Sequence, residues 1–207
     1  MKLLFSDALV IDGTGKDPFI GYVFINDGRI SSIGEGKPQI ESKHVDKEVK
    51  CEGRALLPGF INCHVHLVLD ASEQPMNKLA KQNSNTALIQ AVISAKKMLF
   101  AGFTTIRDCG GLEEETLALK MAINSGLIEG PRIIACGQAL LTTGGHFRGY
   151  VVDSPFEVRK AARELLSHGA DFIKVMCTGG VDQPGEKPDL YRAVCALPAS
   201  RTGSGWR

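Results

Sequence analysis

The 207-residue chain is long enough for one domain, or one domain with a small appendage, and its 43% hydrophobic and 23% charged residues match ordinary globular proteins. A net charge of +1 with scattered basic residues, together with 6% aromatics, excludes a nucleic-acid stripe, an anionic-membrane surface and a base-stacking platform. No apolar run reaches transmembrane length, the apolar start MKLLF is too short for a signal peptide, and the six cysteines form no CxxC pair, which predicts reduced thiols and a cytoplasmic location.

Residues 1–56 read as β-structure. ALVIDGTG and GYVFINDGRISSIG are short β-branched runs broken by Gly and Asp, and Asp27-Gly28 between two apolar runs signals a hairpin. This predicts a small sheet or β-sandwich. After Pro58 the rhythm changes. FINCHVHL is strand-like. Residues 86–102 have helical spacing, with Leu88, Ala91, Val92, Ala95, Met98 and Leu99 at steps of three and four and Gly102 at the C-terminal cap. FTTIRDCG predicts the next strand, EEETLALKMAINSG the next helix and RIIACG a third strand. SPFEVRKAARELLSHGA predicts a third helix, with Ser154 as N-cap, Pro155 at its first position, Glu157 at capping-box distance and Gly169 at its end. DFIKVMCTGG is a fourth strand.

Alternating strands and helices form βα units and imply a parallel sheet. The natural architecture is α/β, the N-terminal half of a (β/α)8 TIM-type barrel; a doubly wound sheet fits the same pattern. A complete barrel takes about 250 residues, with a floor of about 200, whereas residues 58–207 number 150 and show four strands. DLYRAVCALPASRTGSGWR carries no period. The expected organisation is a small β-sandwich segment over residues 1–56, the first half of a barrel over 57–188 and an aberrant tail over 189–207.

A strand sends alternate side chains to opposite faces. In the first strand after Pro58, Ile61, Cys63, Val65 and Leu67 make one apolar face, suited to pack under helices. Asn62, His64 and His66 make the other. In a barrel that face points inward, at the strand end where active sites sit. Imidazole nitrogens are good ligands for zinc and similar metals, and His64 and His66 aim at one point. The plainer alternative is one satisfied core histidine and one surface histidine.

Lys174 sits within an apolar strand, where an ammonium is costly to bury. It could snorkel to the strand's end, form a Schiff base as in barrel aldolases, or take up carbon dioxide to become an anionic carbamate able to bridge two metals. The histidine pair favours the carbamate, because a carbonyl-condensing lysine needs no metal pair. His146, in LLTTGGHFRGY, lies in a glycine-rich loop and could orient substrate or steady an oxyanion; an exposed loop histidine is the alternative. Asp108 could accept a hydrogen bond from a ligand histidine, or contact Arg107 or backbone amides. His44 and His168 fall at surface positions and carry no assignment.

Four stretches in this order and spacing, LLPGFINCHVHL, AGFTTIRDCGG, GPRIIACGQALLTTGGH and GADFIKVMCTGG, resemble the amidohydrolase superfamily. In particular they are similar to its imidazolonepropionase-like branch, which includes prolidase-related, Xaa-Pro dipeptidase-like enzymes. The N-terminal segment resembles the small β-sandwich that accompanies those barrels, and the resemblance covers residues 3–188. It implies a metal-dependent hydrolase that breaks a peptide-like or cyclic amide C–N bond with a metal-activated hydroxide. It implies that His64 and His66 bind one divalent metal, usually zinc, that Lys174 as the carbamate bridges it to a second, and that His146 contacts a small amide or dipeptide substrate.

The same family takes two further histidines from the fifth and sixth strands, and from the eighth an aspartate that is both ligand and proton shuttle. No histidine follows Lys174 here, and Asp182 and Asp189 come too soon to end an eighth strand. No catalytic residue of that kind is therefore expected within the chain. These departures predict a truncated or frame-shifted product, an inactive fragment with part of a metal site, poorly soluble or self-assembling through an exposed parallel edge strand. A Schiff-base lyase acting through Lys174 is the remaining alternative.

Overall fold

The structure, a computed structural model, describes residues 1–40 and 44–177. The expected tail, the end of the fourth strand at 178–180, and both Asp182 and Asp189 lie outside the described residues. The chain divides into two compact units, Met1–Gly59 and a second from Phe60 onward.

In the first unit the β-branched runs form β1 (Lys2–Val10), β2 (Phe19–Asn26) and β3 (Arg29–Glu35), joined as an antiparallel meander. Asn26 faces Arg29, which leaves Asp27 and Gly28 as a two-residue loop with φ of 49° and 75°. Positive φ at both central residues is the turn whose twist matches the flanking strands, and an Asp-Gly pair reaches it at little cost. Two short strands, β4 (Lys47–Lys50) and β5 (Ala55–Leu56), then add parallel to the other edge of β1. Among the described residues the result is one five-stranded sheet, the first of the two forms, small sheet or β-sandwich, that the sequence allows. β1 pairs with β2, β4 and β5, and β3 is joined through β2. The buried cluster of Ala8, Val10 and Val23, flanked by Phe5, Phe19, Ile25, Cys51 and Leu56, is too small to fill the space between two sheets.

The second unit is α/β. β6 (Phe60–Val65), β7 (Phe103–Asp108) and β8 (Arg132–Ala135) run parallel in that order. A short helix, α1 (Pro75–Leu79), which the sequence pattern does not announce, precedes α2 (Ser84–Phe100) in the β6–β7 crossover, and α3 (Glu115–Asn124) links β7 to β8. The third strand breaks at residues 136–138 and resumes as β9 (Ala139–Leu141), which pairs parallel with β10 (Gly149–Val151) and β11 (Val175–Met176). Asp171 N–H donates to the Ala135 carbonyl and Leu140 N–H to the Lys174 carbonyl, both at 2.8 Å, so the fourth lane follows the third across the break. Four strand lanes thus succeed one another in chain order, all parallel. They do not close into a barrel among the described residues. No helix of the described residues is long and apolar enough to cross a membrane.

Local chemistry sets the helix ends. Asn83 caps α2 by accepting the Thr86 N–H at 2.9 Å, so the helix starts two residues before its apolar pattern does. α4 (Pro155–Ser167) is capped by Ser154, whose Oγ accepts the Glu157 N–H at 3.3 Å. Glu157 reaches back to the Asp153 N–H at 3.0 Å, one residue before the cap. α2 buries Ala87, Ala91 and Ala95 in a core that also takes Ile106 of β7, Leu117 and Leu119 of α3, Ile133 of β8, and Ala161 and Leu165 of α4. Methyl side chains at every fourth position let a helix approach its neighbours closely. Leu88, Val92 and Met98 flank that stripe, while Ile89, Ile93 and Phe100 on the same helix are exposed.

Candidate metal centre

β6 delivers the histidine pair: His64 is its next-to-last residue and His66 follows its end. Val65 packs on the core and Leu67 is buried. Ile61 and Cys63, expected on the same packed face, are exposed, Ile61 at 65%. β6 is an edge of its sheet, and its register against β7 slips between Asn62 and Val65, so strict alternation does not hold along it.

The His64 and His66 ring centroids are 5.4 Å apart with planes at 57°. Two imidazoles sharing a tetrahedral zinc at ordinary Zn–N distances have centroids about 5 Å apart, so the spacing fits one ion. The Nδ1 of His66 lies 2.9 Å from the Gly110 carbonyl oxygen. A carbonyl only accepts, so Nδ1 carries the proton, and Nε2 keeps the lone pair a ligand needs. Burial, opposed by the Gly110 bond and reinforced by the charges of Lys174 and His146, holds the His66 pKa below the ordinary imidazole range. Burial and the charges of Lys174, His66 and Arg107 lower that of His64 as well. Both shifts favour the neutral ring, the form that binds a metal.

Asp108 ends β7 and is completely buried. Its carboxylate accepts the Leu67 N–H at 2.8 Å and the Gly110 N–H at 3.1 Å. Two such bonds favour the ionised form, but desolvation outweighs them and pushes the carboxyl up to about 6. Of the contacts open to Asp108, the backbone amides are therefore the ones made. Its neighbour Arg107 instead lays its guanidinium over the Phe172 ring, 3.7 Å from the centroid.

Lys174, half-buried at the start of the fourth lane, is close enough for its charge to disfavour protonation of both His64 and His66. His146 is close enough to do the same to His66. Its loop is pinned where Asp153 accepts the Thr143 N–H at 2.8 Å and hydroxyl at 2.6 Å. The structure therefore brings His64, His66, Lys174 and His146 into one neighbourhood. His44 is exposed in the first unit, and His168, at the end of α4, pairs with Glu114.

Two contributors are not evident from the sequence pattern. One is the Gly110 carbonyl, for which the Gly-Gly pair after β7 is the only local signal. The other is Phe147, whose ring centroid lies 4.5 Å from that of His66. Phe147 adopts φ of 70°, uncommon for a bulky residue and a mark of a surrounding structure that fixes it. It also lines a cleft of about 690 Å³ with Leu112, Glu113, Leu141 and Arg148 while its ring lies against His66. Among the described residues no group of three His, Cys, Asp or Glu side chains is placed to hold a metal ion. The histidine pair supplies two donors that fit one, with Lys174 beside them.

Residues 55–196 match the amidohydrolase family. The chain is 27% identical over 213 residues to ochratoxinase from Aspergillus niger, an alignment covering 88% of this chain and 43% of that enzyme. It is 26% identical over 189 residues to imidazolonepropionase from a Bradyrhizobium species, covering 86% and 43%. The solved structure of a prolidase complexed with N-methylphosphonate-L-proline superposes with a TM-score of 0.78 at 30% identity, covering 90% of this chain and 49% of that one. The chain thus spans about half the length of the relatives it matches. With a family match that runs unbroken through the histidine pair, Asp108 and Lys174, the chain belongs to the amidohydrolase family.

Proposed function

We propose that this chain carries part of the site of a metal-dependent amidohydrolase that cleaves a C–N bond in a small peptide-like or cyclic amide, in the manner of a dipeptidase. His64 and His66 would hold one divalent ion, zinc being the natural choice for two imidazoles. Lys174, as its carbamate, would give oxygen donors to that ion and to a second. The observation that carries this reading is the geometry of the histidine pair, 5.4 Å between centroids, with His66 Nε2 left for a ligand. Prolidase and imidazolonepropionase among the relatives support an amide substrate. The four parallel lanes support reading residues 57–188 as the first half of a (β/α)8 barrel. The cytoplasmic setting belongs to the same proposal and rests on the cysteine spacing of the sequence.

The chemistry a bound divalent ion supplies there is polarisation of an amide carbonyl and acidification of water. The rest falls to the chain's own groups. Gly110 holds the His66 proton on Nδ1, the Phe147 ring excludes water from one face of that imidazole, and His146 orients the substrate from its pinned loop.

The test is a zinc titration of the full chain by calorimetry, with bound metal counted by mass spectrometry. Wild type should bind zinc tightly, and His64→Ala and His66→Ala should each lose that binding while keeping the far-ultraviolet circular dichroism of the parent. Undiminished affinity in the double variant would sink the assignment. Removing bicarbonate from the buffer, or replacing Lys174 with Arg, should abolish the second ion and weaken binding of the first, which then keeps only its two imidazoles.

A further inference from the structure

His66 is held at two points, and both lead to the same side chain. Its ring donates from Nδ1 to the Gly110 carbonyl at 2.9 Å. The Gly110 N–H donates to Asp108 at 3.1 Å, and the Leu67 N–H, on the peptide unit that begins at the His66 carbonyl carbon, donates to Asp108 at 2.8 Å. One buried carboxylate therefore grips the backbone that carries the ring and the backbone that receives the ring's proton. Gly110 has φ of 137°, in the region where side chains are strained. A Cβ there would meet only ordinary contacts, the nearest being the Phe147 ring at 3.5 Å. The glycine is thus required for the backbone conformation that turns its carbonyl to His66 and its N–H to Asp108, and not for want of space.

We propose that Asp108 is a positioning residue that fixes His66 in the tautomer with its proton on Nδ1, by clamping the Leu67 and Gly110 amides on either side of the ring. The inference rests on the reading of His66 as a metal ligand for its functional meaning, but its physical content is a property of the metal-free protein. Ligand histidines whose far nitrogen is held in this way bind metal more tightly, and loss of such a partner typically costs about 10- to 100-fold in affinity. Here the partner is a backbone carbonyl, and the carboxylate acts one step behind it.

The experiment is nitrogen-15 histidine NMR of the metal-free full chain at neutral pH, on wild type, Asp108→Asn and Asp108→Ala, followed by zinc titration of each. In wild type His66 should show a protonated Nδ1 and a bare Nε2. A wild-type ring with its proton on Nε2 overturns the proposal with no variant needed. Asp108→Asn keeps one acceptor oxygen and sets an amide NH2 against one of the two N–H groups, so it should give a mixture of tautomers and about 10-fold weaker zinc binding. Asp108→Ala should move both further in the same direction. If Asp108→Ala does not fold, the wild-type and Asn spectra still decide. A tautomer ratio and zinc affinity unchanged in Asp108→Asn overturn the clamp while leaving the metal reading in place. A tautomer that responds to Asp108 in a protein that binds no zinc upholds the clamp and removes the metal reading.

Discussion

The two units hold their sheets by opposite means. In Met1–Gly59 the first three strands pair with their neighbours in sequence, through an eight-residue loop and a two-residue turn, and a cluster of three buried apolar residues lies among them. Among the described residues from Phe60 onward every ladder is parallel, each lane is separated from the next by helical chain, and sixteen buried residues form one continuous core. Among the described residues, it is the second unit that buries a carboxylate completely and that brings histidines and a lysine together. A group that desolvation drives toward protonation is tolerated where many apolar neighbours overdetermine its surroundings. The thin unit builds structure from turns; the thick one can also hold chemistry.

That contrast can be broken most directly in the cores. Ile106→Ala removes a wholly buried side chain from the middle lane and should cost about 4 kcal/mol in denaturant unfolding of the second unit, against about 2 kcal/mol for Val23→Ala in the first. Equal losses would show that the two cores are packed to the same depth. Because the two units need not unfold together, amide hydrogen exchange is the suitable local readout.

The buried carboxylate gives the next effect, and it depends on pH. Burial raises Asp108 from 3.8 to about 6, so between those values the folded unit keeps a proton that the unfolded chain releases. Folding is therefore favoured most at the acid end of this window, and the Asp108 contribution falls as pH rises through it, by up to about 3 kcal/mol. Measured against Asp108→Asn, which cannot titrate, wild type should lose relative stability from pH 4 to pH 6 and then level off. A flat difference would mean that the two amide bonds already balance desolvation.

Smaller effects sharpen the picture. Gly28→Ala places a Cβ at a φ of 75° in the first unit's hairpin and should cost about 1.5 kcal/mol there. It should leave the proposed zinc affinity of the histidine pair unchanged, and a change would mean that the hairpin acts on that pair. Asn83→Ala removes the α2 cap and should cost about 1 kcal/mol, visible as faster exchange at the first turn of that helix and nowhere in the first unit.

Features set by a few consecutive residues were legible in the sequence. Asp27-Gly28 announced its turn, Ser154 and Glu157 their helix start, and His64 and His66 their pairing, because each depends on spacing along one element. Features set across the fold were not. Ile61 and Cys63 share the apolar alternation of Val65 and Leu67, yet lie exposed where the edge strand slips in register. The first unit's single sheet follows from where β4 and β5 attach, which no local pattern encodes. Asp108 stands out in the sequence as a polar candidate, but its two amide partners come from loops about forty residues apart. Phe147 lies against His66 from a loop some eighty residues further along the chain, a contact that no local pattern announces.

The two thiols inside the second unit have a use outside that chemistry. Cys109 and Cys136 are 1% and 0% exposed, and burial raises both pKa values, that of Cys136 to about 12. An alkylating reagent attacks thiolates it can reach, so these two are silent while the unit is closed. Cys63, exposed beside His64, is open to the reagent from the start. Timed alkylation followed by peptide mass mapping would therefore run an internal stopwatch in the unmodified sequence. Early label at Cys63 marks the reagent's arrival, and later label at Cys109 and Cys136 counts how often the parallel core comes apart.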